Sequence, residues 1–127
     1  MAAQINPEGQ RFPPAQEAAS KLPERVRMTD VAWSIDGIPI RLTVERWFHI
    51  VENHEDLAGY YDDVLDTIAN PELILAGHRG SLIAVRNYGH RRYLMVIYRR
   101  VAQDDGFVIT AFFTDEVDRK RTIWQRQ

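Results

Sequence analysis

The chain of 127 residues contains no cysteine. That absence removes disulfide frameworks, thiolate zinc sites and cysteine nucleophiles. It is compatible with the cytosol without demanding it. Long hydrophobic runs are missing too: nothing approaches the roughly 20 apolar residues that a membrane-spanning helix needs. The opening "MAAQINPEGQRFPPAQ" has no basic stretch followed by an apolar one, so it does not read as a signal peptide. These absences together lead to the expectation of a cytoplasmic protein without a membrane partner. There is no Walker loop, no G-x-G-x-x-G, no G-x-S-x-G and no internal repeat. One further absence is local. Between Glu72 and Asp104 no acidic residue occurs, while Arg79, Arg86, Arg91, Arg92, Arg99 and Arg100 fall inside that interval.

The length is that of one ordinary domain, sufficient to close a hydrophobic core. A hydrophobic content of 45% and a charged content of 27% are near globular averages, which argues against wholesale disorder. The net charge of −2 hides an asymmetry. Residues 1–72 carry 6 Lys/Arg and 13 Asp/Glu, whereas residues 73–127 carry 10 and 5. Such a split suits a polyanion-binding face or a charge-complementary partner. A solvated sheet edge decorated with arginine is the plainer reading of the same pattern.

Residues 1–24 are rich in Pro, Gln, Ala and Glu and lack an apolar period, so they read as a flexible N-terminal arm. The folded domain is expected over 25–127. Apolar alternation on both sides of "DG" predicts a hairpin, with strands near 26–35 and 38–42. "TVERWFHIVENH" then predicts a helix, capped by Thr43, whose apolar face is Val44, Trp47, Phe48 and Val51. "DLAGYYDDVLDTIANP" predicts a second helix, with Asp56 as N-cap and Asn70 before Pro71 as its end. Beyond it the period changes from 3.6 to 2. "SLIAVRNY", "RRYLMVIYRR" and "GFVITAFFT" predict antiparallel strands, with shorter ones at "ELILA" and "RTIWQ". Helices before the strands, not between them, indicate an α+β domain.

Four histidines occur, and two of them, His49 and His54, lie in "RWFHIVENHE". Positions five apart are about 140° apart on a continuous helix, which disfavours joint ligation of one ion. The stretch is not H-E-x-x-H, and no third histidine lies near it, so no metal site is assigned. Asn53 suits a helix C-terminus, and a break there lets His54 sit at a corner and point back toward His49. Two imidazoles beside Arg46 then form an acid–base set without metal or cofactor. The competing reading has His49 facing solvent and His54 merely capping.

Cleaving RNA needs a base for the 2′-OH, an acid for the leaving 5′-oxygen, and donors that stabilise the phosphorane. His49, His54, Arg46 and Thr110 supply those types, although threonine is common in strands for propensity alone. The arginine-rich interval adds Tyr88, Tyr93 and Tyr98 between Arg86, Arg91, Arg92, Arg99 and Arg100. Aromatic faces stack on unpaired bases and arginine pairs with phosphate, so RNA is the expected partner.

The order "RWFHIVENHEDL", "IANPELI", "YLMVIYRR" and "FVITAFFT" resembles the barnase–EndoU–colicin–RelE nuclease superfamily. It is most similar to small phage-associated members, over about residues 38–115. The resemblance implies N-terminal helices packed on a four-stranded antiparallel β-sheet. The fold expected is therefore α+β, an N-terminal β-hairpin and two helices on that sheet. The resemblance also implies a metal-independent endoribonuclease of toxin or phage-effector type, with a cognate antitoxin or inhibitor protein as partner. By position, the helix histidine is His49, the following histidine His54 and the strand hydroxyl Thr110. Glu55 stands where the pattern often has proline. Arg79, Arg86 and Arg99 are candidate phosphate clamps, with Arg46 as a fourth; Tyr88, Arg91 and Arg92 complete the expected RNA-binding set. The alternative is a non-catalytic RNA-binding or protein-interaction module on the same fold.

Overall fold

The computed structural model describes residues 29–127; the arm assigned to 1–24, and residues 25–28, lie outside the described residues. The Asp-Gly signal yields a hairpin. Strands β1 (Thr29–Trp33) and β2 (Pro39–Thr43) pair antiparallel, Ala32 opposite Ile40. The turn is wider than two residues: Ser34 N–H bonds the Ile38 carbonyl at 2.9 Å, leaving Ile35, Asp36 and Gly37 between them. Gly37 takes φ +80°, which glycine adopts without steric cost. Pro39 opens β2, a position where strands tolerate it.

Helix α1 (Val44–Asn53) follows β2 directly. Thr43 caps it, with Oγ1 accepting from the Arg46 N–H at 3.0 Å. Trp47 and the buried Ile50 face inward. The helix expected over 56–71 is shorter than the apolar period suggested. Glu55–Leu57 make one 3₁₀ turn, Gly59 reverses the chain at φ +90°, and α2 spans Tyr61–Ala69. Asp56 therefore lies inside the 3₁₀ turn, and Tyr60 holds the N-cap position of α2. The cause is Gly59, since a left-handed residue cannot continue an α-helix. Leu57 keeps its place in the core regardless, fully buried. At the other end α2 stops at Asn70, whose N–H bonds the Asp66 carbonyl at 2.7 Å before Pro71.

Strands β3 (Leu73–Ala76), β4 (Leu82–Asn87), β5 (Tyr93–Ala102) and β6 (Asp105–Thr114) form an antiparallel meander. That meander is the middle of a larger sheet. β7 (Thr122–Gln125) pairs antiparallel with β3, and β2 pairs parallel with β6. The order is β1-β2-β6-β5-β4-β3-β7, so the four-stranded antiparallel description is corrected to seven strands of mixed direction. The α+β class holds. An edge strand presents unpaired N–H and C=O groups, and the hairpin covers one end of the β6 edge. The parallel contact is short, Ile40 beside Gly106 and Arg41 beside Phe107. Gly106 makes it feasible: a Cβ there would meet Ile40 Cδ1 at 2.6 Å and the Arg99 carbonyl at 2.7 Å.

Alternation along β5 separates two faces. Leu94, Val96 and Tyr98 join Ile40, Leu42, Ile50, Val64 and Ile68 in the main core beneath the helices. Tyr93, Met95 and Ile97 point the other way. Residues 115–121, which link β6 to β7, cross that second face, and Val117 packs there against Leu73, Leu75, Val85 and Met95. Phe107, Ile97 and Thr110, nearer β2, stay half-buried.

Candidate active site

Helix α1 carries Arg46 and His49 on its outer side, both exposed. With Thr43 and Glu45 they line a shallow depression of about 290 Å³. At 100° per residue, His49 lies about 160° round the helix from Trp47, the residue that packs inward. Asn53 stays in the last turn, where Nδ2 donates to the His49 carbonyl at 2.9 Å. His54 is the C-cap: its N–H bonds the Ile50 carbonyl at 2.8 Å, and its own carbonyl accepts from the Leu57 N–H at 3.0 Å. Held from both sides, the half-buried His54 ring packs over Phe112, with centroids 5.9 Å apart.

Phe112 is a β6 residue opposite Met95, on the face away from α2. Thr110 is on the same face, two residues along the strand, or about 7 Å. Its partner across the ladder is Ile97, and a bulge follows immediately, because Tyr98 pairs with Val108 and leaves Ile109 extra. A bulge re-aims neighbouring side chains and sharpens the local twist. Arg99, opposite Phe107, continues that face. Its Nη1 donates to the Arg79 carbonyl at 2.6 Å, and Arg79 takes φ 54°. The structure therefore groups His54, Thr110 and Arg99 along one face, with Arg79 at the far end. It does not turn His54 back toward His49, which stays with Arg46 on the outer side of α1.

Three of the residues expected to touch RNA lie on the opposite, helix-covered face. Arg86 pairs with Asp66 at 3.2 Å and Asp63 at 3.9 Å, and stacks 5.0 Å above the Tyr88 ring. The Tyr88 hydroxyl donates to Asp63. Burial, then the hydrogen bond to Asp63 and its charge, hold that phenol well above its ordinary range. Arg92 lies 4.0 Å over Phe113 and 5.7 Å over Tyr60. These contacts tie the β4–β5 turn to α2. The interval without acidic residues had concealed them, because their carboxylates come from α2, 20 or more residues earlier. Arg91 is exposed in the turn, at φ 60°.

Tyr98 is a core residue, 1% exposed, not a stacking platform. Its hydroxyl is pushed up to about 12, by burial first and then by the charge of Asp36, with Arg100 opposing. Arg100 bonds Asp36, which also accepts from the Ser34 hydroxyl. Burial acts to raise the Asp36 carboxyl, but Ser34, Arg100 and its own backbone outweigh it and hold the group below its usual value. A second pair was equally illegible: Arg41 grips Asp105 with Nε at 2.8 Å and Nη2 at 3.1 Å, bridging β2 and β6. The hydrogen bond from Arg41 lowers the Asp105 carboxyl, and the reciprocal bond raises Arg41.

Among the described residues no group of three or more His, Asp or Glu side chains is placed to hold a metal ion. No described helix is long and apolar enough to cross a membrane. No protein-family model matches the chain, and neither curated proteins nor solved structures supply a match.

Proposed function

We propose that the protein is a metal-independent endoribonuclease of toxin or phage-effector type, acting in the cytoplasm on single-stranded RNA. The observation that carries the reading is the shared face of His54, Thr110 and Arg99, an imidazole, a hydroxyl and a guanidinium with half-buried surroundings. His54 takes the proton from the 2′-OH, and the oxygen so activated attacks the adjacent phosphorus. Arg99 and the Thr110 hydroxyl stabilise charge on the phosphorane oxygens. The leaving 5′-oxygen receives a proton from the imidazolium or solvent, leaving a 2′,3′-cyclic phosphate. Arg46 and His49, on the outer side of α1, hold the strand beyond His54.

The test is incubation of wild type and His54→Ala with tRNA and total RNA in EDTA. Cyclic-phosphate ends from wild type alone support the reading; intact RNA in both lanes sinks it. A second reading, a binding module without catalysis, is favoured by the separation of His49 from His54. The exposed Val31 and Trp33 on edge strand β1, 44% and 60% exposed, suit a protein partner. That reading predicts salt-dependent RNA affinity with no product.

A further inference from the structure

The end of the second sheet face, beside the crossing segment, holds a depression of about 300 Å³ that the cleavage row does not use. Its floor is Leu73 and Val85, 6% and 1% exposed, and the half-buried Tyr93 ring lines it. Its polar lining comprises Glu72, Asn87 and Arg119 together with Gln125, Arg126 and Gln127. The volume is at the small end of ligand cavities, enough for one base with its ribose. An apolar floor beside an aromatic ring, with a few convergent polar atoms above, is the composition that receives a planar heterocycle.

The polar atoms are held in place by the fold. The Glu72 main chain is bonded on both sides, its N–H to the Val85 carbonyl at 2.9 Å and its carbonyl to the Arg126 N–H at 3.0 Å. Glu72 Oε2 accepts from the Asn87 N–H at 3.2 Å, and Oε1 has no donor among the described residues. Asn87 Oδ1 accepts from the Gly89 N–H at 2.7 Å, which aims Nδ2 away as an unused donor. The Arg119 guanidinium has no partner among the described residues. A row Phe112–Met95–Val85–Leu73 runs straight across the sheet. At about 4.8 Å per strand, the depression begins about 10 Å from the His54 contact. Val117 packs on Met95 and Val85 within that row, so a single RNA strand that touches both runs beside the crossing segment.

We propose that this depression is a base-reading subsite for single-stranded RNA, selecting bases that carry an exocyclic amino group. The inference rests on the RNA-cleavage reading for its place in the molecule, although nucleotide binding is measured without cleavage. Tyr93 stacks on the base, Asn87 donates to a ring acceptor, and Arg119 meets the adjoining phosphate. Glu72 is acceptor-only, so it rewards the amino groups of adenine, cytosine and guanine and leaves the O4 of uracil facing a carboxylate.

The experiment is amide chemical-shift titration of the full chain with AMP, CMP, GMP and UMP, repeated with a tetranucleotide. Shifts centred on Leu73, Val85, Asn87 and Tyr93, and UMP weaker by about tenfold, are expected. Glu72→Gln removes the discrimination against UMP. Tyr93→Leu weakens all four by about tenfold. Arg119→Ala, an exposed change that leaves the core untouched, weakens nucleotides but not nucleosides. The tetranucleotide binds more tightly than any monomer. Equal affinity for monomer and tetramer assigns the depression to a free nucleotide and overturns the RNA subsite. Shifts elsewhere, or UMP equal to the others in wild type, overturn it as well. Binding here without any cleavage leaves the subsite standing and removes the nuclease reading; cleavage with no shifts here does the reverse.

Discussion

The two faces of the sheet use the same residue types for opposite ends. On the helix side, Arg86 and Tyr88 meet the α2 carboxylates Asp63 and Asp66, and Arg92 lies over the rings of Phe113 and Tyr60. On the other side, among the described residues, Thr110 and Arg99 meet no carboxylate and the His54 ring packs over Phe112. An arginine is therefore informative about a polyanion only when its face is known. A neighbouring helix that carries Asp63 and Asp66 brings Arg86 its partners even though the side chain stays 36% exposed. A face without a covering helix leaves the guanidinium for a ligand.

The largest expected effect tests the open face directly. His54→Ala lowers RNA cleavage by about 10²- to 10⁴-fold, as loss of a general base does, while the unfolding midpoint changes little. His49→Ala has a smaller effect on the same assay, since its imidazole stays on the outer side of α1. Equal losses from the two would erase the contrast drawn between them.

Next come the packing terms. Leu94→Ala, fully buried beneath the helices, destabilises by about 2–5 kcal/mol in urea unfolding. Ile97→Ala, half-buried on the other face, costs about 1 kcal/mol. Similar costs at both positions would mean that the part of the second face around Ile97 is covered in solution.

Titration gives a third contrast. Tyr98 has its folded pKa raised to about 12 from 10, so the folded state holds its proton longer than the unfolded one. Its contribution is fully present below pH 10 and is lost as pH rises toward 12. Tyr98→Phe flattens the alkaline limb of the stability curve in that window. Asp36 and Asp105 behave in the opposite sense. Their folded pKa values are depressed, so their contribution is present above about pH 4 and is lost as pH falls through the lower folded values. Asp105→Asn flattens the acid limb.

The smallest effects separate structural from ligand-facing arginines. Arg86→Ala costs about 0.5–1 kcal/mol of stability, as a partly exposed ion pair does, and leaves RNA affinity unchanged. Arg99→Ala weakens RNA binding and reduces the slope of log affinity against log salt by about 1. A reduced slope in the Arg86 variant instead would move the interface to the helix side.

The local signals were legible where the physics is local. Thr43 caps α1, Asn70 before Pro71 ends α2, and the strands of the meander appear where the period is 2. Leu57, Tyr60 and Tyr61 keep an apolar spacing through Gly59, and periodicity does not register a left-handed residue, so α2 is shorter than the period predicts. The hairpin was legible, but its attachment to β6 was not. A two-residue parallel contact between residues 40–41 and 106–107 has no signature other than Gly106 itself. At the site, residue types were readable and their grouping was not: whether His54 turns toward His49 or Phe112 depends on how the corner packs.

The sequence by itself determined the class of the fold, the absence of thiol chemistry, and the supply of imidazole, hydroxyl and guanidinium groups. Tertiary structure alone decided which of these share a surface. Strand pairing sets the face of every side chain through an alternation of two, and one bulge or crossing segment reassigns a whole row. That is why Arg86 and Arg99, alike in the sequence, end on opposite sides, one held by Asp63 and Asp66 and the other bonded to the Arg79 carbonyl.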